Sequence, residues 1–226
     1  MAHPPDLAAR INELHWFHQI DFGDGLLSPG WVKKSKIERA KRLFFDRPLE
    51  GKSVLDIGCW DGAYSIAAAQ MGAARVVASD WFVWNNGIGD KRAFELARAT
   101  LAPNIELVEA PVEELTVDRL GGPFDIVLFA GVFYHIPHPT PLLEHVSKLV
   151  REVLVFESRL CGIAGQLTSK PLMRFYPRGK LDSDDTNYWA PNPACMQALC
   201  RQIGFKRVRF QRPDRRFRRG LVHAEW

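Results

Sequence analysis

The sequence predicts an α/β fold: a doubly wound, mostly parallel sheet of seven strands with an antiparallel strand at the C-terminal end. Two observations predict it. Short apolar runs alternate with longer amphipathic runs between about residues 53 and 205, which is the pattern of β-α-β units. Two further alternating runs, 206–211 and 221–226, flank a basic turn and indicate a hairpin. Strands joined through helices run parallel, with helices on both faces of the sheet.

Each element follows from its local pattern. Helical spacing predicts helices at 6–14 and 32–45, separated by a Gly/Asp/Ser/Pro-rich loop at 21–30. Buried strands are expected at 53–58, 75–80, 105–110, 124–131 and 152–158. The helices of the sheet region are expected at 62–73, 90–101, 140–150 and 191–205. We expect residues 1–50 to form an N-terminal helical lid segment and 51–226 the main domain. The long connection at 159–192 is interpreted as a cap over a substrate.

Composition narrows the class of protein. The chain has 226 residues, of which 46% are hydrophobic and 25% charged, as in one globular domain. An apolar run of the ~20 residues needed to cross a bilayer is missing, as is a basic and apolar leader, so no membrane partner is expected. The four cysteines form no C-x-x-C pair, which favours a reduced, cytoplasmic protein. No metal is expected, since the H-x-x-H at 135–138 has no acid or cysteine close by.

The charge is concentrated near the C-terminus. The formal net charge is +4, but residues 205–220 carry eight basic residues against one acid. A local positive patch attracts a phosphate, a carboxylate or nucleic acid, although a solvated loop is an equal alternative. If the strand at 206–211 runs parallel to the others, this basic turn overhangs the ligand edge of the sheet. Arg215 and Arg216 are therefore predicted to contact an anionic part of the substrate.

The turn after the first strand is where ligands of such sheets bind. It runs from Asp56 to Gly62, with glycines at 58 and 62 that allow a sharp bend and close approach of a ligand. A pyrophosphate would be repelled by Asp56 and Asp61, whereas an ammonium or sulfonium would be attracted. This turn predicts a cationic nucleoside cofactor rather than NAD. The residues predicted to contact it here are Asp56, Gly58, Cys59, Trp60, Asp61 and Gly62.

Asp80 closes the second strand. An acid at this position can accept hydrogen bonds from both hydroxyls of a ribose. The alternative is a turn acid at a helix start.

Three motifs now carry a resemblance: VLDIGCWDG, RVVASD and FDIVLFAGVFYHIPHP. They resemble the class I S-adenosylmethionine-dependent methyltransferases over about residues 51–160. The flanking runs WFHQIDFGDGLLSPG and NYWAPNPACMQALCRQIGF are similar to a subgroup related to the tRNA wobble-uridine carboxymethyltransferases. The resemblance implies S-adenosyl-L-methionine as cofactor. It implies that the glycine turn holds the methionine part and Asp80 the ribose.

The adenine site departs from this family. Pro111 stands where the family often has an acid, so adenine is expected to meet the Val112 backbone and apolar surfaces, with Trp81 or Phe82 as a stacking face. Phe129 completes the predicted cofactor contacts.

His135 is the leading candidate for a general base, beside Tyr134, because histidine titrates near neutral pH and both follow the fourth strand. A structural histidine capping the loop is the alternative. His18, in the apolar Trp16-Phe17-His18 cluster, is a second candidate base. The remaining candidate acceptor contacts are Trp16, Glu157, Tyr188 and Trp189.

Four functions are open. The preferred one is an S-adenosylmethionine-dependent methyltransferase acting on a hydroxyl or amine of a small metabolite, for which the basic turn suggests an anionic group. The second is a tRNA wobble-uridine (carboxy)methyltransferase-like enzyme with RNA as partner. An NAD-dependent oxidoreductase is disfavoured by the acids of the glycine turn. A non-catalytic binding module is the fourth.

Overall fold

The structure is a computed structural model that describes residues 4–213 and 218–226. The chain divides into two compact units, Met1–Pro111 and Val112–Trp226. In the first unit the helices are α1 (Leu7–Asn12), α2 (Lys34–Phe44), α3 (Ala63–Gln70), α4 (Phe82–Asn85) and α5 (Lys91–Leu101). Its strands are β1 (Asp21–Gly23), β2 (Leu26–Leu27), β3 (Ser53–Ile57), β4 (Arg75–Asp80) and β5 (Glu106–Glu109). Strand β4 pairs in parallel with both β3 and β5.

The second unit holds the helices α6 (Val117–Leu120), α7 (Pro139–Ser147), α8 (Ile163–Gln166) and α9 (Pro193–Ile203). Its strands are β6 (Phe124–Ala130), β7 (Val150–Arg159), β8 (Met173–Phe175), β9 (Trp189–Pro191), β10 (Arg207–Gln211) and β11 (Arg219–Glu225). Strands β6 and β7 are parallel, and β11 is antiparallel to both β7 and β10. The first residue of β11, Arg219, is therefore the register partner of Arg159 at the carboxyl end of β7.

The predicted fold class is confirmed. Strands β3 to β7 with β10 and β11 belong to a seven-stranded, mostly parallel sheet whose last strand is antiparallel to its neighbours. Each predicted strand of this sheet and each long helix lies within three residues of its expected bounds. Among the described residues, the helices are all too short or too polar to cross a membrane.

Two loop predictions need correction. The loop at 21–30 contains the β1–β2 hairpin, whose turn uses left-handed conformations at Asp24 and Gly25. The connection at 159–192 contains regular structure, because β8 pairs with β9 and α8 precedes them. Strands of two or three residues are too short to show an alternating pattern, so their pairing is visible only in three dimensions.

Asn192 organises that segment. Its side chain caps α9 by accepting a hydrogen bond from the Cys195 amide (2.8 Å), and it also accepts from the Leu172 amide (3.1 Å). Its amide group donates to the carbonyls of Gly165 and Lys170. One buried side chain thereby ties the 165–172 loop to the start of a helix.

Candidate active site

The backbone amides of the glycine turn donate hydrogen bonds to acceptors within the first unit. Gly58 and Cys59 donate to the Ser79 carbonyl (2.8 and 3.1 Å), Trp60 donates to Asp80 Oδ2 (2.9 Å), and Gly62 donates to the Cys59 carbonyl (2.8 Å). A pyrophosphate cradle needs such N–H groups free to face the ligand. In this turn they are bound inside the protein, so the structure gives a phosphate few donors there.

The backbone of the turn is left-handed at three positions, with φ of 78° at Gly58, 54° at Trp60 and 83° at Gly62. Gly62 has no alternative, since a Cβ there would lie 2.7 Å from the Phe94 ring. Trp60 is the unusual member, because non-glycine residues adopt this conformation at a cost and do so most often at functional sites.

Three carboxylates are buried around this turn. Asp56 is 3% exposed and accepts a hydrogen bond from Ser65 Oγ (2.6 Å), and burial raises its pKa to about 6. Burial also raises the pKa of Asp80. Asp61 has no exposed surface. Burial first, and then the charges of Asp80, Asp56 and Asp61, raises the pKa of the Cys59 thiol well above its usual value. Such a region favours a cationic ligand over an anionic one.

Asp80 holds the turn through both carboxyl oxygens. Besides the Trp60 amide, it accepts hydrogen bonds from the amides of Trp81 (2.8 Å) and Val83 (3.4 Å) at the start of α4. The turn-acid arrangement is therefore present.

Two buried polar atoms near the turn have no hydrogen-bond partner within the described part of the chain: Ser79 Oγ and Trp60 Nε1. Buried polar groups are nearly always paired, so each is a candidate contact for a bound polar ligand. Together with the carboxylates, these atoms fit a polar, cationic nucleoside.

The N-terminal segment is attached to the turn by Asp61. Its Oδ2 accepts from the amides of Phe17 (2.9 Å) and His18 (2.7 Å), while Oδ1 makes a short contact with His18 Nδ1. The Phe17 ring stacks on Trp60 with centroids 4.1 Å apart. Trp16 is 3% exposed and donates to the Ile11 carbonyl (2.8 Å), so its side chain belongs to the core of the unit.

The predicted adenine contacts lie at different depths. Trp81 is 39% exposed, so it has a free surface for stacking. Pro111 ends the first unit, and Val112 begins the second in a short 3-10 turn. Phe129 has no exposed surface and packs against Phe156, so its side chain belongs to the core of the second unit.

In the second unit, the buried carboxylate of Glu157 forms an ion pair with the half-buried Arg219. Glu157 Oε2 accepts from Arg219 Nη1 (3.1 Å) and from the Gly131 amide (3.0 Å). The Arg219 guanidinium lies 5.1 Å from the centre of the Tyr134 ring, and burial raises the pKa of Tyr134. Arg219 keeps about a third of its side chain exposed (36%), so its remaining donors can reach a ligand.

His135 belongs to a hydrogen-bonded chain that the sequence did not reveal. Its Nδ1 lies 2.8 Å from Thr186 Oγ1, and Thr186 Oγ1 donates to Asp184 Oδ1 (2.6 Å). Burial lowers the pKa of His135 and outweighs the opposing effect of Asp184. No local motif marks Thr186 or Asp184, because the contact joins residues 51 positions apart.

Tyr188 and Trp189 pack beside this chain. The Tyr188 amide donates to the Tyr134 carbonyl (2.8 Å), and Trp189 Nε1 donates to the Pro137 carbonyl (3.1 Å). The structure thus brings Tyr134, His135, Glu157, Tyr188 and Trp189 into one unit. Arg215 and Arg216 lie outside the described residues.

The seven-stranded, mostly parallel sheet with a glycine turn after β3 is the fold of the class I S-adenosylmethionine-dependent methyltransferases. A family model described as a methyltransferase domain matches residues 32–206, and the chain belongs to that family. S-Adenosylmethionine is the methyl donor of this class, which confirms the cofactor that the family resemblance implied.

Curated relatives carry two kinds of name. A ubiquinone biosynthesis O-methyltransferase of Rhizobium rhizogenes is 39% identical over 139 residues, covering 59% of this chain and 53% of the relative. One from Erwinia tasmaniensis is 32% identical over 143 residues, covering 59% and 55%. A tRNA U34 carboxymethyltransferase of Campylobacter jejuni is 25% identical over 163 residues, covering 72% and 52%. The chain matches about half the length of these relatives.

Among solved structures, the N-terminal domain of EvdMO1, crystallised in the presence of SAH (S-adenosylhomocysteine) and D-fucose, superposes with a TM-score of 0.70. The sequences are 20% identical, and the match covers 100% of this chain and 97% of that one. At this identity the likeness shows the fold.

Proposed function

We propose that this chain transfers the methyl group of S-adenosylmethionine to a hydroxyl or amine of a small acceptor that carries an anionic group. The observation that carries the proposal is the hydrogen-bonded chain Asp184–Thr186–His135. It supplies a general base of defined tautomer, which is what a hydroxyl acceptor needs.

The tautomer follows from counting protons. The Thr186 hydroxyl has one proton and donates it to Asp184, so its oxygen can only accept from His135. His135 Nδ1 therefore carries hydrogen, and Nε2 carries the lone pair. Because burial lowers the pKa of His135, the ring is neutral at pH 7.

This arrangement lets His135 act on the acceptor. Bound S-adenosylmethionine supplies an electrophilic methyl group. His135 Nε2 takes the proton of the acceptor hydroxyl as the oxygen–carbon bond forms, and Thr186 stabilises the resulting imidazolium through Nδ1. With an amine acceptor, the same nitrogen removes the proton that the product ammonium must lose.

Arg219 supports the anionic part of the proposal. Its guanidinium is fixed by Glu157 and lies across Tyr134, yet remains partly exposed. A fixed guanidinium pairs with a carboxylate or phosphate in a forked geometry. Because Glu157 neutralises its charge, Arg219 contributes oriented hydrogen-bond donors to the site more than it contributes net positive charge.

The test measures S-adenosylhomocysteine release with a panel of small hydroxyl and amine metabolites, each offered as a free acid and as its neutral methyl ester. We expect a free acid to be the better substrate. His135→Gln should lower kcat by about 100-fold or more, with cofactor affinity unchanged. A wild-type kcat for His135→Gln would contradict the proposal that His135 is the general base.

Thr186→Val separates positioning from folding. It removes the hydroxyl acceptor of Nδ1–H and leaves only the backbone carbonyl of residue 186, at 3.3 Å, while keeping the side-chain shape. We therefore expect a smaller loss of kcat and a displaced acidic limb of the kcat–pH profile. Arg219→Lys and Arg219→Gln test the anion. The glutamine variant should raise KM for the free acid and leave the ester unaffected, whereas equal KM changes for both would contradict an anionic contact.

An RNA acceptor is the second candidate. The likeness to the Campylobacter jejuni tRNA enzyme spans 72% of this chain, and residues 205–220 carry eight basic residues against one acid. RNA binding of this kind depends steeply on salt, so the two candidates differ in a measurable way.

A further inference from the structure

The amino-acid part of S-adenosylmethionine carries a carboxylate as well as two positive centres. The glycine turn is poorly suited to that carboxylate, since the amides of Gly58, Cys59, Trp60 and Gly62 are bound within the protein. The buried acids around the turn repel it further. A carboxylate held here needs a cationic partner from another segment.

His18 is a buried basic side chain attached directly to this turn. It is 6% exposed, its Nδ1 contacts Asp61, and its charge is close enough to Asp56 to lower that carboxyl's pKa. With Nδ1 committed to Asp61, Nε2 is the ring nitrogen that can meet a ligand. An imidazolium beside a carboxylate is the arrangement in which a charge is tolerated inside a protein.

The position of His18 is fixed from several sides. Its amide donates to Asp61 and its carbonyl accepts from Ser28 Oγ (2.8 Å). Its ring meets Tyr64 edge to face with centroids 5.4 Å apart. Gly30 packs so closely that a Cβ there would lie 2.1 Å from the His18 carbonyl carbon. The ring is therefore preorganised before any ligand arrives.

We propose that His18 binds the carboxylate of the cofactor's amino-acid part through Nε2–H, with Asp61 as the positioning residue that orients the ring. This inference rests on the cofactor assigned in the proposed function, and it gives His18 a binding role in place of a base. The geometry favours that role, because Nδ1 contacts the Asp61 carboxylate and the ring is held at the glycine turn, which leaves Nε2–H to donate to a ligand.

The test compares two ligands that differ only in this group: S-adenosylmethionine and its decarboxylated analogue, titrated into the full chain by calorimetry. We expect His18→Gln to weaken S-adenosylmethionine by ~10-fold or more and to leave the analogue nearly unchanged. The ratio is taken within one variant, so a loss of folding that affects both ligands cancels.

Two further variants sharpen the result. His15→Gln, an exposed histidine on the same segment, should behave as wild type. Asp61→Asn should reduce the ratio as well, because it removes the group that orients His18. An unchanged ratio in His18→Gln would overturn the proposal. No acceptor is present, so failure of the proposed methyl transfer does not affect this outcome.

Discussion

Asp56 is a carboxyl group held inside the first unit, where burial raises its pKa from 3.8 to about 6. The folded protein therefore holds this proton up to a higher pH than the unfolded chain does. Stability contributed at this position is present below pH 4 and is lost as the pH rises to about 6. Two pKa units correspond to about 3 kcal/mol.

Asp56→Asn should remove that dependence, since the amide stays neutral and its oxygen can still accept from Ser65. We expect the variant to match wild type near pH 4 and to be more stable at pH 7, by up to about 3 kcal/mol. Urea unfolding at pH 4, 5, 6 and 7 measures this. Asp118→Asn, in the short helix α6, is the control. Parallel pH profiles for Asp56→Asn and wild type would contradict the prediction.

Asp80 makes structural hydrogen bonds and is also the predicted ribose contact, so its substitution should affect both stability and cofactor affinity. In Asp80→Asn an NH2 group takes the place of one of the two carboxylate oxygens. The side chain then loses either the hydrogen bond from the Trp60 amide to Oδ2 or the one from the Trp81 amide to Oδ1. We expect cofactor affinity to fall by about 1–3 kcal/mol, roughly 10- to 100-fold in Kd. Titration of S-adenosylhomocysteine with a parallel melting curve measures it, and an unaltered Kd would argue against a ribose contact.

These residues show how far the sequence could lead. The acids of the glycine turn and Asp80 were predictable because the strand–turn–helix pattern fixes where they lie. Their partners were not, since Asp61 meets Phe17 and His18 across 44 and 43 positions. The sequence suggested that Asp56 and Asp61 both face the ligand. In the structure both carboxylate oxygens of Asp61 contact the N-terminal segment, at Phe17 and His18.

At the scale of elements, the residues from Trp16 to Val32 form a fixed structure. Ser28 Oγ joins the Ile20 amide to the His18 carbonyl, and the amides of Gln19 and Val32 pair with the carbonyls of Val32 and Phe17. The sequence predicted a lid here. The hydrogen bonds explain why the segment has a defined shape despite containing only the five hairpin residues of regular structure.

Gly30→Ala should test how closely this segment is packed. A Cβ would fall 2.1 Å from His18 and 2.6 Å from the Gln19 amide, so backbone has to move. We expect a loss of about 1–3 kcal/mol in unfolding free energy. A weaker affinity for S-adenosylhomocysteine should accompany it.

Gly162→Ala is the matched control for that experiment. This glycine lies in the second unit, with no atom within 4 Å of a new Cβ and no left-handed backbone. Its stability should be equal to wild type or slightly higher. Equal free energies of unfolding for the two alanine variants would show that the close packing at Gly30 does not contribute to stability.

The charge of the whole molecule bears on the RNA alternative. An enzyme that reads tRNA through several phosphate contacts loses about 1,000-fold or more in affinity between 50 and 200 mM salt. We expect this chain to bind tRNA with a Kd in the non-specific range of about 1–100 μM at physiological salt. Fluorescence anisotropy with labelled tRNA measures it, and a nanomolar Kd at 150 mM salt would favour RNA as the acceptor.

The whole fold was the most predictable level, because strand–helix alternation leaves few arrangements for a sheet of this kind. The β7, β10 and β11 strands show the reason: their apolar alternation and the turn between the last two were visible in the sequence. The division into Met1–Pro111 and Val112–Trp226 was not, since it depends on how contacts are distributed in three dimensions. The predicted boundary at residue 50 stays a prediction.

All four cysteines, Cys59, Cys161, Cys195 and Cys200, are buried free thiols, and burial raises the pKa of each. An alkylating reagent reacts with the thiolate, so it modifies these side chains only when the surrounding structure opens. Cys59 belongs to the first unit and the other three cysteines to the second. The rate at which each cysteine is alkylated therefore measures how often the structure around it opens. Adding the methyl donor should slow alkylation of Cys59 more than that of the other three cysteines.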